Sequence, residues 1–369
     1  MRTTPTAALE ALLDLTPLPF YIQQIATLTA LRLRTLNLWR KCNTPHTSVL
    51  DTLIAEVPIT DAKQDLIPKQ FIFDKKYKIQ LQEHGPTNQG NHKELKIYTD
   101  GSKTDQGTGV GVFSEDLNIK IYKPLGTHNS IFQAECMGII EAAQAIAVRK
   151  AAGENIRILT DSMAVLQALN NITVNSGLIY ECHLKLNAVG TSNNIILQWI
   201  KGHSGSRGND AADELARRGS DSRAIGPEPI VPLPASYLRS QVATRSHAQH
   251  CTSWDKIDTC RQSKEALPRI NRRVTRRLLQ LNKAQLRTVV AAITGHGNFN
   301  KHLFNTGITD SPLCRACMGD EETASHVILH CPAVQEYRVK HLGSPRTLPE
   351  ITDNIKGLLG FFGELGWLE

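Results

Sequence analysis

Leu95-Lys96-Ile97-Tyr98-Thr99-Asp100-Gly101-Ser102 is the stretch that decides the fold. The run from Leu95 to Thr99 is strand-like, and Asp-Gly-Ser is turn chemistry, so the Asp100 carboxylate should stand at a strand end beside a sharp turn. A second stretch, Ile156-Arg157-Ile158-Leu159-Thr160, ends in Asp161-Ser162 before a helical pattern and repeats that geometry. Glu135 lies early in one long helical pattern and Asp213 lies inside another. Two strand ends and two helix faces converge readily in an α/β sheet, where ligands gather at the carboxyl ends of strands. Four carboxylates brought that close repel one another unless divalent cations neutralise them, and hard cations such as Mg²⁺ take oxygen ligands.

Five motifs follow one another in order: Tyr98-Thr99-Asp100-Gly101-Ser102, Gln133-Ala134-Glu135, Thr160-Asp161-Ser162, Lys201-Gly202-His203-Ser204-Gly205, and Asn209-Asp210-Ala211-Ala212-Asp213-Glu214-Leu215-Ala216. Together they resemble a type 1 ribonuclease H domain over roughly residues 93 to 220. The resemblance implies a ribonuclease H-like mixed five-stranded sheet flanked by helices. It also implies a metal-dependent endoribonuclease that hydrolyses the RNA strand of RNA·DNA hybrids, leaving a 5′ phosphate and a 3′ hydroxyl. Two Mg²⁺ or Mn²⁺ ions about 4 Å apart can orient the attacking and leaving oxygens of such a displacement. By resemblance, Asp100 bridges both ions, Glu135 and Asp161 hold one, and Asp213 holds the other. His203 matches a histidine that assists proton transfer or product release, and an imidazole titrates in the range that role needs. Gly101, Ser102, Gln133, Ser162 and Asn209 are the implied contacts to the nucleic acid.

The chain departs from the family pattern in two places. Asn and Gln often stand four and three residues before the helix glutamate, where they touch ribose 2′ hydroxyls; here Ile131 and Phe132 occupy those positions, leaving Gln133 as the nearby polar residue. The 2′ hydroxyl is how a protein tells RNA from DNA. Between Asp161 and His203 there is room for two helices and one strand, so the basic helix and loop that some members insert there have no space. Residues 93 to 220 carry 13 Lys or Arg against 13 Asp or Glu, a net charge of zero. The chain's +7 is therefore +2 before this region and +5 after it.

At 369 residues and 41% hydrophobic, the chain can build two or three domains. A basic balance suits a polyanionic partner. No secretory signal pattern stands at the N-terminus, and no uninterrupted apolar stretch has the length of a membrane span, so an intracellular chain, nuclear or cytoplasmic and without a membrane partner, is expected. Boundaries follow from composition. Residues 1–90 read as helices, over 8–16 and 19–41, plus a polar linker ending in Gly85-Pro86-Thr87-Asn88-Gln89-Gly90-Asn91. The ribonuclease H-like domain spans 91–221, and Gly226-Pro227-Glu228-Pro229 with Pro232-Leu233-Pro234 marks a linker over 222–235. Residues 236–310 form a basic helical region with Arg269, Arg272, Arg273, Arg276, Arg277, Lys283 and Arg287, either a solvated face or a phosphate-binding one.

Residues 311–369 hold Cys314-x2-Cys317-x8-His326-x4-Cys331. Three thiols and an imidazole at these spacings suit tetrahedral Zn²⁺ rather than a disulfide framework, with His330 a rival fourth ligand. The order of segments resembles the downstream end of an insect-type non-LTR retrotransposon polyprotein, in which a helical tail follows a reverse transcriptase. The chain has no Asp-Asp pair, hence no polymerase aspartate motif, and a reverse transcriptase in trans is the partner this resemblance implies. The contrasting expectation is a catalytically inactive, retroelement-derived nucleic-acid-binding protein.

Overall fold

The computed structural model describes residues 3–38, 45–82, 94–202, 205–224 and 226–367. Helices α1 (Thr6–Leu13), α2 (Leu18–Thr35) and α3 (Pro45–Glu56) lead to strands β1 (Gln70–Phe71) and β2 (Tyr77–Gln80). Next come β3 (Glu94–Lys103), β4 (Thr108–Ser114), β5 (Ile119–Gly126), α4 (Ile131–Val148), β6 (Asn155–Thr160), α5 (Met163–Asn170), β7 (Thr173–Val174), α6 (Gly177–Gly190), β8 (Asn194–Trp199) and α7 (Arg207–Asp221). The chain closes with α8 (Ala235–Lys256), α9 (Arg261–Ala266), α10 (Arg272–Leu278), α11 (Lys283–Thr294), α12 (Asn300–Asn305), α13 (Gln335–Leu342), α14 (Leu348–Asp353) and α15 (Ile355–Leu365). Two compact units result: Ile25–Val242, and Met1–Gln24 with Ala243–Glu369.

In the first unit the sheet runs β2-β8-β6-β3-β4-β5, parallel across β2, β8, β6 and β3 and antiparallel across β3, β4 and β5. This is the expected mixed α/β sheet with one strand more than the five anticipated. The sixth is Tyr77–Gln80, in the segment read as linker, and its four residues pair in parallel with Ile195–Gln198. Tyr77 is buried there, its hydroxyl hydrogen-bonded to Nδ1 of the buried His183 on α6. A four-residue strand carries too short an alternation to stand out, and its partner lies more than a hundred residues downstream.

Side chains alternate between the two faces of a strand, and this sheet is covered on both. On one face, Gly138 of α4 packs near Thr99 and Val110; on the other, α7 lies over Gly111. The helix α4 begins with Ser130 and Gln133 bonding each other's backbone N–H groups, a capping box. Among the described residues α4 is the one helix long and apolar enough on composition to cross a membrane, and it is mostly buried against the sheet. The Gly/Pro stretch expected to be a linker is tied down: Gln133 Nε2 donates to Pro232 O at 2.7 Å, Leu233 is buried, and Leu233 bridges to Gln64.

The second unit has one core. Ala8, Ala11 and Leu12 of α1 pack with Trp254, Leu278, Val289, Phe299, Leu358, Phe361 and Phe362, together with Cys314 and Cys331. The segments 236–310 and 311–369, expected as separate regions, therefore share their interior from residue 243 onward. Two arginines of the basic run are used internally: Arg272 pairs with Asp14 at 3.2 Å and Arg277 with Asp353 at 3.4 Å.

Candidate active site

Asp100 sits on β3 opposite Gly111 of β4, and β3 runs beside β6, whose last residue Thr160 precedes Asp161. Parallel pairing thus sets Asp100 and Asp161 at the same end of adjacent strands. Glu135 reaches them from α4 because Gly101 has no side chain: a Cβ there would lie 2.8 Å from Glu135 N. The Gly101 backbone N–H, between the two, favours the ionised forms of both Asp100 and Glu135, and Thr160 Oγ1 donates to Glu135 Oε2 at 3.4 Å. Carboxylate oxygens of Asp100, Glu135 and Asp161 all lie within 4.8 Å of one another.

Asp213 comes from the opposite face. Where α7 crosses β4, a Cβ on Gly111 would stand 2.0 Å from Ala212 O, so only glycine admits the helix at this height. Gly111 is the register partner of Asp100, and the close approach therefore sets Asp213 near Asp100. Asp213 is outside the tight trio, and its Oδ2 accepts from Arg217 Nη2 at 2.8 Å, one helical turn away.

The electrostatics follow from burial. Asp100 is 7% exposed and Glu135 4%. Burial first, and then the charges of Asp161 and Asp213, lift the Asp100 carboxyl to about 7. Burial, with Asp100 and Asp161 next, raises Glu135 well above the carboxylate range. Groups this crowded are ionised together only when cations share the space, and a purely oxygen donor set suits Mg²⁺ or Mn²⁺. These residues fit the divalent ions expected of them.

Among the other expected site residues, Ser162 stands just before α5 with its side chain making no capping bond, and its backbone N–H donates to Thr160 Oγ1. Ser102 is half-buried on β3, two residues past Asp100. Asn209 is buried on α7, one turn before Asp213, and no described donor reaches its Oδ1. Gln133 requires a correction. At 1% exposure its Oε1 accepts from Ser130 N and its Nε2 donates to Pro232 O, so its amide is consumed by the helix cap and the following segment rather than offered to a ligand. The Ser-x-x-Gln spacing is itself the sequence signal for that cap. His203 and Ser204 lie outside the described residues.

Three residues that sequence reasoning passed over complete the site. Gly202 faces Asp161, where a Cβ would meet Oδ2 at 2.6 Å; Trp199 Nε1 donates to Asp161 O at 3.0 Å; and Arg217 holds Asp213. An Asp-x3-Arg spacing on a helix could have flagged the last of these.

This geometry has a counterpart among known proteins: residues 92–221 match the RNase H family model. Residues 92–221 are an RNase H domain. Ribonuclease H of Saccharomyces cerevisiae is 28% identical over 187 residues, covering 41% of this chain and 51% of the relative. The chain thus spans about half the length of that relative. All four acidic residues lie inside the RNase H domain, whereas β1, β2 and the cysteine cluster lie outside the matched span.

The cysteine cluster is a second, separate donor set. Cys314, Cys317, His326 and Cys331 place their ligand atoms within 4.8 Å of one another, with Cys314 Sγ 3.8 Å from Cys331 Sγ and Cys317 Sγ 3.3 Å from His326 Nε2. A π turn over His326–His330, closed by Cys331 N donating to His326 O at 2.7 Å, brings Cys331 back beside His326, five positions earlier. The rival ligand His330 is not in this group. Asp320 Oδ2 lies 3.6 Å from His326 Nδ1, the ring nitrogen away from the thiols, beyond hydrogen-bond distance but on the side from which a carboxylate orients a metal-binding imidazole.

Proposed function

We propose that this chain is a metal-dependent endoribonuclease that cuts the RNA strand of RNA·DNA hybrids. The observation that carries the reading is the convergence of Asp100, Glu135 and Asp161 within 4.8 Å, with Asp213 brought alongside by the α7 crossing at Gly111. Asp100, Glu135, Asp161 and Asp213 would hold the divalent ions. When bound, such ions supply Lewis acidity at the phosphate and lower the cost of forming a nucleophile from water. The residues themselves fix the donor geometry: the Thr160 hydroxyl orients Glu135, the absence of a side chain on Gly101 lets Glu135 approach, and Trp199 holds the Asp161 backbone. Asn209, with an amide oxygen lacking a described donor, supports contact to a ribose hydroxyl. His203 is carried into this reading as the proton-transfer residue.

The Cys314, Cys317, His326 and Cys331 set supports one Zn²⁺, in a structural role within the core that holds Cys314 and Cys331. Free thiols of this kind call for a reducing compartment, so we propose an intracellular protein, nuclear or cytoplasmic. The order of helical segment, RNase H domain and cysteine cluster supports a retrotransposon origin, with a reverse transcriptase as partner in trans.

The test is cleavage of a labelled RNA·DNA hybrid in Mg²⁺ or Mn²⁺, beside double-stranded RNA, double-stranded DNA and an Asp100→Asn control. Hybrid-only cutting that disappears in the variant and in chelator is expected. Salt-sensitive binding without turnover in either metal would replace this reading with that of a catalytically inactive nucleic-acid-binding protein.

A further inference from the structure

The short strand β1 leaves two aromatic rings in solvent. Phe71 is 61% exposed and Phe73 83% exposed, their planes 8° apart and their centroids separated by 6.2 Å. The alternation Phe71-Ile72-Phe73 explains the arrangement. Ile72 turns inward against the sheet core and its N–H donates to Ile172 O at 2.8 Å, so its neighbours must point out. Paired apolar surface of this kind on a folded domain marks a site of interaction.

We propose that Phe71 and Phe73 form a stacking platform for unpaired nucleotides flanking the hybrid. Three observations select this occupant. The rings are parallel, the arrangement on which successive bases stack without regard to sequence. In this stretch, residues 69–78 carry Lys69, Lys75, Lys76 and Lys78 against Asp74 alone; Lys75 Nζ is tied to the carbonyls that end α5 and Lys76 pairs with Asp74 at 2.9 Å, which leaves Lys69 and Lys78 to meet a phosphate, beside a domain region whose own net charge is zero. The patch is also linked to the acidic site through one short helix. β1 pairs with β7, which follows α5, and α5 starts two residues after Asp161. Eight helical residues span about 12 Å, or three to four base steps along a duplex strand. The RNase H domain has no room for a basic insertion in this connection, and the upstream segment brings aromatic and basic residues to that place. Placement beside the ribonuclease site rests on the proposed function; the stacking itself does not.

The experiment uses the full chain carrying Asp100→Asn, so that substrate survives, and measures fluorescence anisotropy with four ligands. These are a blunt hybrid, hybrids bearing an unpaired RNA or DNA extension, and a single-stranded oligonucleotide. An extension should tighten binding about tenfold, and Phe71→Ala/Phe73→Ala should abolish that gain while leaving blunt-hybrid affinity unchanged. Phe71→Leu/Phe73→Leu keeps the apolar surface and should lose the gain as well. Full affinity in the leucine variant, an extension effect indifferent to both variants, or no binding of any single strand would overturn the proposal. So would conversion of a dimer to a monomer by the alanine pair, since a second protein would then cover this face. If the parent chain cuts no hybrid yet binds single strands through Phe71 and Phe73, the ribonuclease reading fails and the platform stands.

Discussion

Arg217 folds back along α7 to place Nη2 2.8 Å from Oδ2 of Asp213, so the carboxylate nearest the trio is already neutralised by a side chain of its own helix. The same guanidinium also favours the ionised form of Asp100. An internal cation in this position competes with a divalent ion for Asp213. Arg217→Gln should therefore lower the Mg²⁺ concentration for half-maximal hybrid cleavage at pH 8. Because Arg217 is largely exposed and screened, the change should be a few-fold. A Mg²⁺ titration checks it; an unchanged or higher requirement would refute the competition.

Asp100 sets a pH dependence whose sign is opposite to the usual one for a carboxylate. Folding raises its pKa from the ordinary 3.8 to about 7, chiefly through burial, so the folded state binds the proton more tightly than the unfolded chain. Without metal, that contribution is fully present below about pH 4 and is lost as pH rises through 7. Asp100→Asn should consequently raise metal-free stability at pH 8 by on the order of 1–4 kcal/mol, and much less at pH 4. Urea midpoints in chelator at the two pH values decide the matter, and equal stability of variant and parent at pH 8 would contradict it.

The buried pair of Tyr77 and His183 fastens the sixth strand to α6. Burial holds His183 neutral, with its pKa lowered to about 4. Tyr77→Phe removes the hydroxyl and strands the His183 Nδ1 in the interior, at a cost of about 1–3 kcal/mol. Denaturant unfolding of the full chain followed at the α/β unit measures this, and a variant as stable as the parent would show that the bond contributes nothing.

One equivalent of Zn²⁺ should co-purify with the chain and leave on Cys317→Ser substitution. The four donors draw together residues spaced over Cys314 to Cys331, two of which sit in the second unit's core. Its loss should therefore expose backbone amides around α11 and α15 to hydrogen exchange while those of β3, β6 and β8 stay protected. Metal analysis and exchange mass spectrometry give the answer, and equal loosening of the sheet would be the contrary result.

How much of this was legible differs from residue to residue. Asp100 and Asp161 announce themselves because strand runs ending in turn residues are local signals, and the cysteine cluster declares itself by spacing alone. For Gln133 the cap with Ser130 is legible in the Ser-x-x-Gln spacing, whereas the bond that takes up the rest of its amide is not, because Pro232 lies 99 residues away. The sequence suggests five strands and the sheet has six, because β2 draws its order from β8, not from its own four residues. The spacing of Arg217 from Asp213 is legible as a helical pair, but its bearing on the site comes from the packing of α7 on Gly111, which no periodicity reveals. Phe71 and Phe73 were passed over for a related reason: the polar segment around them reads as linker until Ile72 is seen to anchor it.

The sixth strand has a consequence for the molecule's own solubility. With β2 in place, the backbone of Ile195–Gln198 is paired on both sides, by β6 and by β2. Cutting the chain back to residues 92–221 would strip that cover and leave a row of unsatisfied amides and carbonyls along an apolar strand, the template from which chains recruit one another into extended sheets. The segment ahead of the recognisable domain thus acts as a guard rail against self-association.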